Sequence, residues 1–70
     1  MKLVLIGVIN MNRIIVDGIE FISFQNAVMY VEHKYGFSDG SWDMVLANKS
    51  FHDLYEYLYD EDIKSEIIYE

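Results

Sequence analysis

Residues 13–22 read RIIVDGIEFI, and the predicted fold is built outward from this stretch. Asp17 followed by Gly18, between two apolar runs rich in β-branched residues, is the strongest short-range signal of a β-hairpin. Both residues tolerate the positive φ angles that a two-residue turn requires. The pattern therefore predicts two antiparallel strands, over residues 13–16 and 19–22.

The segment before the hairpin, residues 2–9, is almost entirely apolar. A strand that is apolar on both sides is usually covered on both faces, and the asparagines within residues 10–12 indicate a turn. We therefore expect a three-stranded antiparallel meander from residues 2–9, 13–16 and 19–22. The apolar run is much shorter than the ~20 residues that span a bilayer. No small-residue cleavage site follows it, so it is interpreted as a strand and not as a signal peptide.

Two helices are predicted after the meander, each beginning at a serine. Ser23 and Ser50 can each accept a hydrogen bond from the backbone N–H three residues later, which is typical of a helix N-terminus. Gly36 is suited to end the first helix. Apolar residues recur at helical spacing in both segments; they are Phe24, Ala27, Val28, Val31 and Tyr35 in the first, and Phe51, Leu54, Tyr55 and Leu58 in the second.

Residues 42–47 are predicted to form a fourth strand, with Trp42, Met44 and Leu46 on one face. Residues 67–69 suggest a short last strand at a sheet edge. The expected order is β-β-β-α-β-α-β in a single domain, residues 1–70. This is an α+β fold, with a small, mostly antiparallel sheet and two helices on one of its faces.

Composition excludes several classes of protein. The chain has 70 residues, no cysteine and a formal net charge of −7. Without cysteine there is no disulfide and no cysteine-based zinc site, which fits a cytoplasmic location. The acidic balance argues against direct binding of nucleic acid, because that binding needs lysine and arginine to replace phosphate counterions. We expect no membrane association.

The sequence offers no catalytic constellation. A nucleophilic serine needs a base and an orienting acid, and Ser23 and Ser50 are already explained as helix caps. His52 could bind a metal with Asp53 or Glu56, but the second histidine of the H-E-x-x-H motif is missing. We interpret that group as a solvated helix face. The expectation is a protein that is not an enzyme and has no cofactor or metal.

Charge is concentrated in the last part of the chain. Residues 51–70 carry a net charge of −6, whereas residues 1–50 carry −1. On the second helix the acids were expected to lie opposite the apolar stripe, with two tyrosines on or beside the same outer surface. The predicted protein-binding residues are Asp53, Glu56, Tyr57, Tyr59, Asp60, Glu61 and Asp62.

Carboxylates three or four residues apart on a helix lie about 5–6 Å apart at Cβ, which is on the order of the phosphate spacing along a nucleic-acid strand. The leading hypothesis is a small acidic inhibitor, carried by a phage or mobile element. It would occupy the basic, nucleic-acid-binding surface of a host nuclease or defence complex. Three alternatives stay open: an acidic helix that is only solvated, a structural homo-oligomer formed through a sheet edge or the aromatic surface, and a small-molecule binder beside Trp42 and Phe37.

Overall fold

The structure is a computed structural model that describes residues 12–69. These residues form a small α+β fold with the element order β-β-α-α-α-β. The elements are β1 (Arg13–Val16), β2 (Ile19–Phe21), α1 (Phe24–Tyr35), α2 (Gly40–Asn48), α3 (Phe51–Asp60) and β3 (Ser65–Ile68). None of the helices in this part of the chain is long and apolar enough to cross a membrane.

The sheet is antiparallel, with the strand order β2-β1-β3. The predicted hairpin is confirmed: Asp17 and Gly18 have φ angles of 54° and 84° and connect β1 to β2. The other edge of β1 is paired with β3, which is the predicted short last strand at a sheet edge. Residues 2–9, to which we assigned the first strand of the meander, lie outside the described residues.

Both predicted helix starts are confirmed. The Ser23 hydroxyl accepts a hydrogen bond from the backbone N–H of Asn26, and the Ser50 hydroxyl accepts one from the N–H of Asp53, each at 3.3 Å. Gly36 ends α1 with a φ of 69°, a left-handed conformation that glycine adopts without strain. The two serines therefore define where α1 and α3 begin, and Gly36 defines where α1 ends.

The prediction of a fourth strand at residues 42–47 is wrong, because this segment lies inside α2. Asp39 caps the helix by accepting a hydrogen bond from the backbone N–H of Trp42 at 2.8 Å. Trp42 and Val45 are buried, and their three-residue spacing places both on one side of a helix. Residues 12–69 thus contain three helices, whereas two were predicted for the chain.

The core lies between the sheet and the helices. β1 contributes Ile14 and Val16, which alternate with the less buried residues of that strand. Ala27, Val28 and Val31 of α1 are buried together with Leu54 and Leu58 of α3. Eight of the eleven aromatic residues belong to this core or pack against it, and the three exposed ones are Tyr35, Tyr59 and Tyr69.

Candidate protein-binding face

The outward side of α3 carries four exposed residues at helical spacing: His52, Glu56, Tyr59 and Asp60. Residues four apart lie one above the other on a helix, so these side chains form a continuous stripe opposite the buried leucines. The Tyr59 side chain is 69% exposed, and its ring lies 6.4 Å from that of Tyr55. An open aromatic residue flanked by two carboxylates is thus the centre of the stripe.

Tyr57 does not belong to this stripe, and the expectation that it lies on or beside the outer surface is wrong. It is only 8% exposed, and its ring centroid lies 5.0 Å from the centroids of both Trp42 and Phe37. Its hydroxyl donates to the carboxylate of Asp39 at 3.1 Å. Burial and this hydrogen bond raise the pKa of Tyr57 to about 12. Tyr57 is therefore a core residue that holds α3 against the start of α2.

Asp53 lies at the margin of the stripe. It is half-buried in the first turn of α3, and its Oδ2 accepts a hydrogen bond from Asn48 Nδ2 at 2.8 Å. A carboxylate there interacts favourably with the positive end of the helix dipole. Asp53 thus has a role in joining α2 to α3, and it offers a partner less free surface than Glu56 and Asp60 do.

Glu61 and Asp62 are exposed in the turn that ends α3. The N–H of Ile63 donates to the carbonyl of Leu58, the N–H of Asp62 donates to that of Tyr59, and Asp62 has a φ of 63°. This is the Schellman arrangement, in which one left-handed residue satisfies the last carbonyls of a helix. Ile63 and Leu58 are both buried in the core, so the turn holds these two carboxylates in a defined position beyond Asp60.

Two acids of α3, Glu56 and Asp60, have exposed side chains. Lys34 pairs with Asp17 at 3.0 Å and Arg13 with Glu20 at 2.9 Å, both away from α3. Within residues 12–69, no lysine or arginine forms an ion pair with a carboxylate of α3. The lysines and arginine of the described residues therefore leave the charge of Glu56 and Asp60 available to an external cation.

A shallow groove runs between α3 and β3 beside the stripe. It has a volume of about 350 Å³, and Tyr55 lines both this groove and a second depression on α3. Tyr69, at the end of β3, is 67% exposed. We define the α3–β3 face as the surface formed by His52, Tyr55, Glu56, Tyr59, Asp60, Glu66 and Tyr69.

Sequence reasoning missed a polar cluster at the hairpin. Asp17 Oδ2 accepts hydrogen bonds from Tyr35 at 2.7 Å, from Tyr30 at 2.9 Å and from Lys34 at 3.0 Å. The hydroxyl of Tyr35 and the ammonium group of Lys34 hold the pKa of Asp17 below its usual value. The sequence does show that Tyr30 and Lys34, four residues apart, lie on one face of the helix. It does not show that they contact Asp17, because that residue lies 13 to 17 positions earlier in the chain. The cluster fastens the hairpin to α1.

Two weaker sequence hypotheses can be placed in the structure. His52, Asp53 and Glu56 have ligand atoms within 4.8 Å of one another, but His52 and Glu56 are exposed, and His52 Nε2 already lies 3.6 Å from Glu56 Oε2. Trp42 is 1% exposed, and Phe37 and Tyr57 pack against its ring. The space beside Trp42 is thus filled by the protein's own side chains.

Comparison of the chain with protein-family models, with curated proteins and with solved structures finds no match.

Proposed function

We propose that the protein is a small acidic binding module that uses the α3–β3 face to occupy a basic surface on another protein. Glu56, Tyr59 and Asp60 would be its central contacts, with Glu61 and Asp62 extending the charge past the end of the helix. Tyr57, which is buried, has no direct part in this role. The observation that carries the proposal is the exposure of Tyr59 between two carboxylates that no lysine or arginine of residues 12–69 pairs.

Two physical arguments support this role. Carboxylates fixed on a helix attract lysine and arginine over a distance, which accelerates association and suppresses partners of the wrong charge. Tyrosine supplies rigid, amphipathic contact area and is enriched among the residues that dominate binding energy. Tyr59 and Tyr69 are both more than half exposed, so the face combines these two properties.

The proposed partner is a protein whose basic groove normally binds nucleic acid. The spacing of carboxylates along one side of α3, about 5–6 Å at Cβ, is close to that of successive phosphates, so the helix can present charge where a nucleic-acid strand would. The biological setting that we propose is an inhibitor from a phage or mobile element, aimed at a host nuclease or defence complex and acting in the cytoplasm without catalysis of its own.

The test is a pull-down from lysate at low salt, followed by kinetics with the purified partner. We expect a partner with a basic surface that elutes as the salt concentration rises. The double variant Glu56→Gln, Asp60→Asn should slow association by about tenfold at low salt, because steering by charge acts on the on-rate. Tyr59→Ala should instead accelerate dissociation.

Asp43→Asn is the matched control for each single charge change. Asp43 is exposed on α2, outside the α3–β3 face, and its replacement changes the net charge by the same amount as Glu56→Gln or Asp60→Asn. The on-rate should respond to the α3 variants and stay within about twofold of wild type for the control. Equal responses at all three positions would mean that only overall charge matters, and the proposed face would then be wrong.

A further inference from the structure

The outer edge of β3 exposes backbone hydrogen-bonding groups. In an antiparallel pair, alternate residues direct their N–H and C=O toward the neighbouring strand. The N–H of Asp17 donates to the carbonyl of Lys64 at 3.0 Å, so the next such residue on β3 is Glu66. Ser65 and Ile67 therefore direct their N–H and C=O groups away from β1. Among the strands formed by residues 12–69, none pairs with this edge.

The groove of the α3–β3 face runs along this same edge. Its lining includes His52 and Tyr55 from α3 and Ser65, Ile67 and Tyr69 from the other side. The Ser65 hydroxyl is buried and makes no hydrogen bond within the described chain. An added strand would thus meet the outward backbone groups of Ser65 and Ile67 and apolar surface at one place.

The charges beside this edge indicate which strand would fit. Glu66 lies on β3 itself, and Glu56 and Asp60 line the neighbouring depression on α3, which has Tyr55 in common with the groove. Two copies of this chain joined with Glu66 opposite Glu66 would bring like charges together on adjacent strands, which is destabilising, and only the register with Ser65 opposite Ser65 would place Lys64 against Glu66 instead. A strand that bears lysine or arginine would instead gain favourable pairs on both faces.

We propose that the free edge of β3 accepts an extended, lysine- or arginine-bearing segment of the partner protein as a fourth strand of the sheet. Backbone hydrogen bonds to Ser65 and Ile67 supply affinity, and Glu56, Asp60 and Glu66 select basic side chains, as in other cases of β-strand addition. This inference rests on the proposed function and specifies how the partner is recognised.

The experiment uses a synthetic probe, a heptapeptide of alternating lysine and valine with blocked ends. Its control is the same peptide with the backbone nitrogens of its five central residues methylated, which keeps the charge and removes those hydrogen-bond donors. Nitrogen-15 NMR spectra of the protein would be recorded at low salt during titration with each peptide. The unmodified peptide should shift the amide resonances of Ser65 and Ile67 and slow their hydrogen exchange at least tenfold, whereas the methylated peptide should do neither.

A protein variant provides a second readout. Glu66→Gln should weaken binding of the unmodified peptide by about two- to fivefold, the range expected for one cross-strand charge pair. Asp43→Asn, which lies away from the edge, should leave the affinity unchanged. An equal loss in both variants would indicate non-specific attraction and would overturn strand addition.

The possible outcomes separate the two proposals. Equal binding of both peptides would overturn strand addition while leaving the acidic face as a charge-selective surface. Binding of neither peptide at low salt would contradict the proposed function as well. Slow exchange of the Ser65 and Ile67 amides in the free protein would show that the edge is already occupied and would refute its availability. Analytical ultracentrifugation would then distinguish the two possible occupants of the edge: a dimer would indicate a second copy, and a monomer would indicate another segment of the same chain.

Discussion

Tyr57 and Tyr59 are two positions apart on α3, and their rings have different surroundings. Tyr57 is buried between Trp42 and Phe37 and bonded to Asp39, whereas Tyr59 is 69% exposed. Replacing a buried aromatic residue with alanine costs about 3–5 kcal/mol. A surface substitution usually changes the free energy of unfolding by less than about 0.5 kcal/mol. We therefore expect Tyr57→Ala to be strongly destabilising and Tyr59→Ala to be nearly neutral.

The size of this difference matters because the domain is small. Stability of about 0.05–0.15 kcal/mol per residue gives a 70-residue chain roughly 3.5–10 kcal/mol in total. Tyr57→Ala would consume much or all of that and leave a largely unfolded protein. Tyr57→Phe keeps the ring and removes only the hydroxyl that donates to Asp39, so its cost should be about 1 kcal/mol. This milder variant gives a measurable value even if the alanine variant does not fold.

Urea denaturation followed by circular dichroism measures all three variants on one scale. The expected order of destabilisation is Tyr57→Ala, then Tyr57→Phe, then Tyr59→Ala, with slopes that match wild type where the transition is two-state. In the binding assays the order should reverse for the two folded variants, because only Tyr59 lies on the α3–β3 face. A Tyr59→Ala variant that is less stable than Tyr57→Phe would refute the assignment of these two side chains to surface and core.

Three further predictions concern stability. Asp62 has a φ of 63°, a left-handed conformation that glycine adopts at less cost than aspartate does. Asp62→Gly should therefore raise the free energy of unfolding, measured in urea, by about 0.5–1 kcal/mol. A decrease would contradict backbone strain at this position. Burial and Asp39 raise the pKa of Tyr57 from 10.0 to about 12, so the stability that its hydroxyl contributes is complete below pH 10 and is lost between pH 10 and 12. The difference in Tm between wild type and Tyr57→Phe should therefore disappear over that range. A difference that stays constant would refute the raised pKa. The pKa of Asp17 is lowered from 3.8, so the stability that its carboxylate contributes is present above pH 3.8 and is lost as the pH falls below that value. Wild type should therefore have a higher Tm than Asp17→Asn at pH 7, and this difference should disappear in acid. A difference that persists at pH 2 would exclude the ionised carboxylate as its cause.

The features that were correctly predicted depend on neighbouring residues. The Asp17–Gly18 turn needs only the conformational tolerance of those two residues, and the serine caps need only a hydroxyl three residues before an N–H. The same locality explains the position at which α3 ends. Asp60 is its last helical residue, and the acids that follow it place negative charge where a helix C-terminus disfavours it. The turn that follows adds the left-handed Asp62 as a structural cause.

The features that were missed depend on contacts across the fold. Apolar residues alternate along residues 42–47, which is the pattern of a β-strand. The residues that are buried, however, are Trp42 and Val45, whose spacing of three is that of a helix. Asp39 caps α2 and also accepts a hydrogen bond from Tyr57, 18 residues later, a contact for which the sequence contains no local pattern. The surface position assigned to Tyr57 failed for the same reason, because the aromatic pocket that receives its ring is made by residues of other segments.

The central position of β1 also constrains the order in which the molecule can assemble. The β1–β2 hairpin is a local structure, but two strands alone are at best marginally stable in water. The third strand, β3, follows about 50 residues after β1 along the chain, and closing so long a loop is slow relative to forming helices and turns. We therefore expect the helices to pack against the hairpin before β3 pairs with β1. The stripe on α3 needs only the helix, whereas the groove between α3 and β3 would form when β3 has paired.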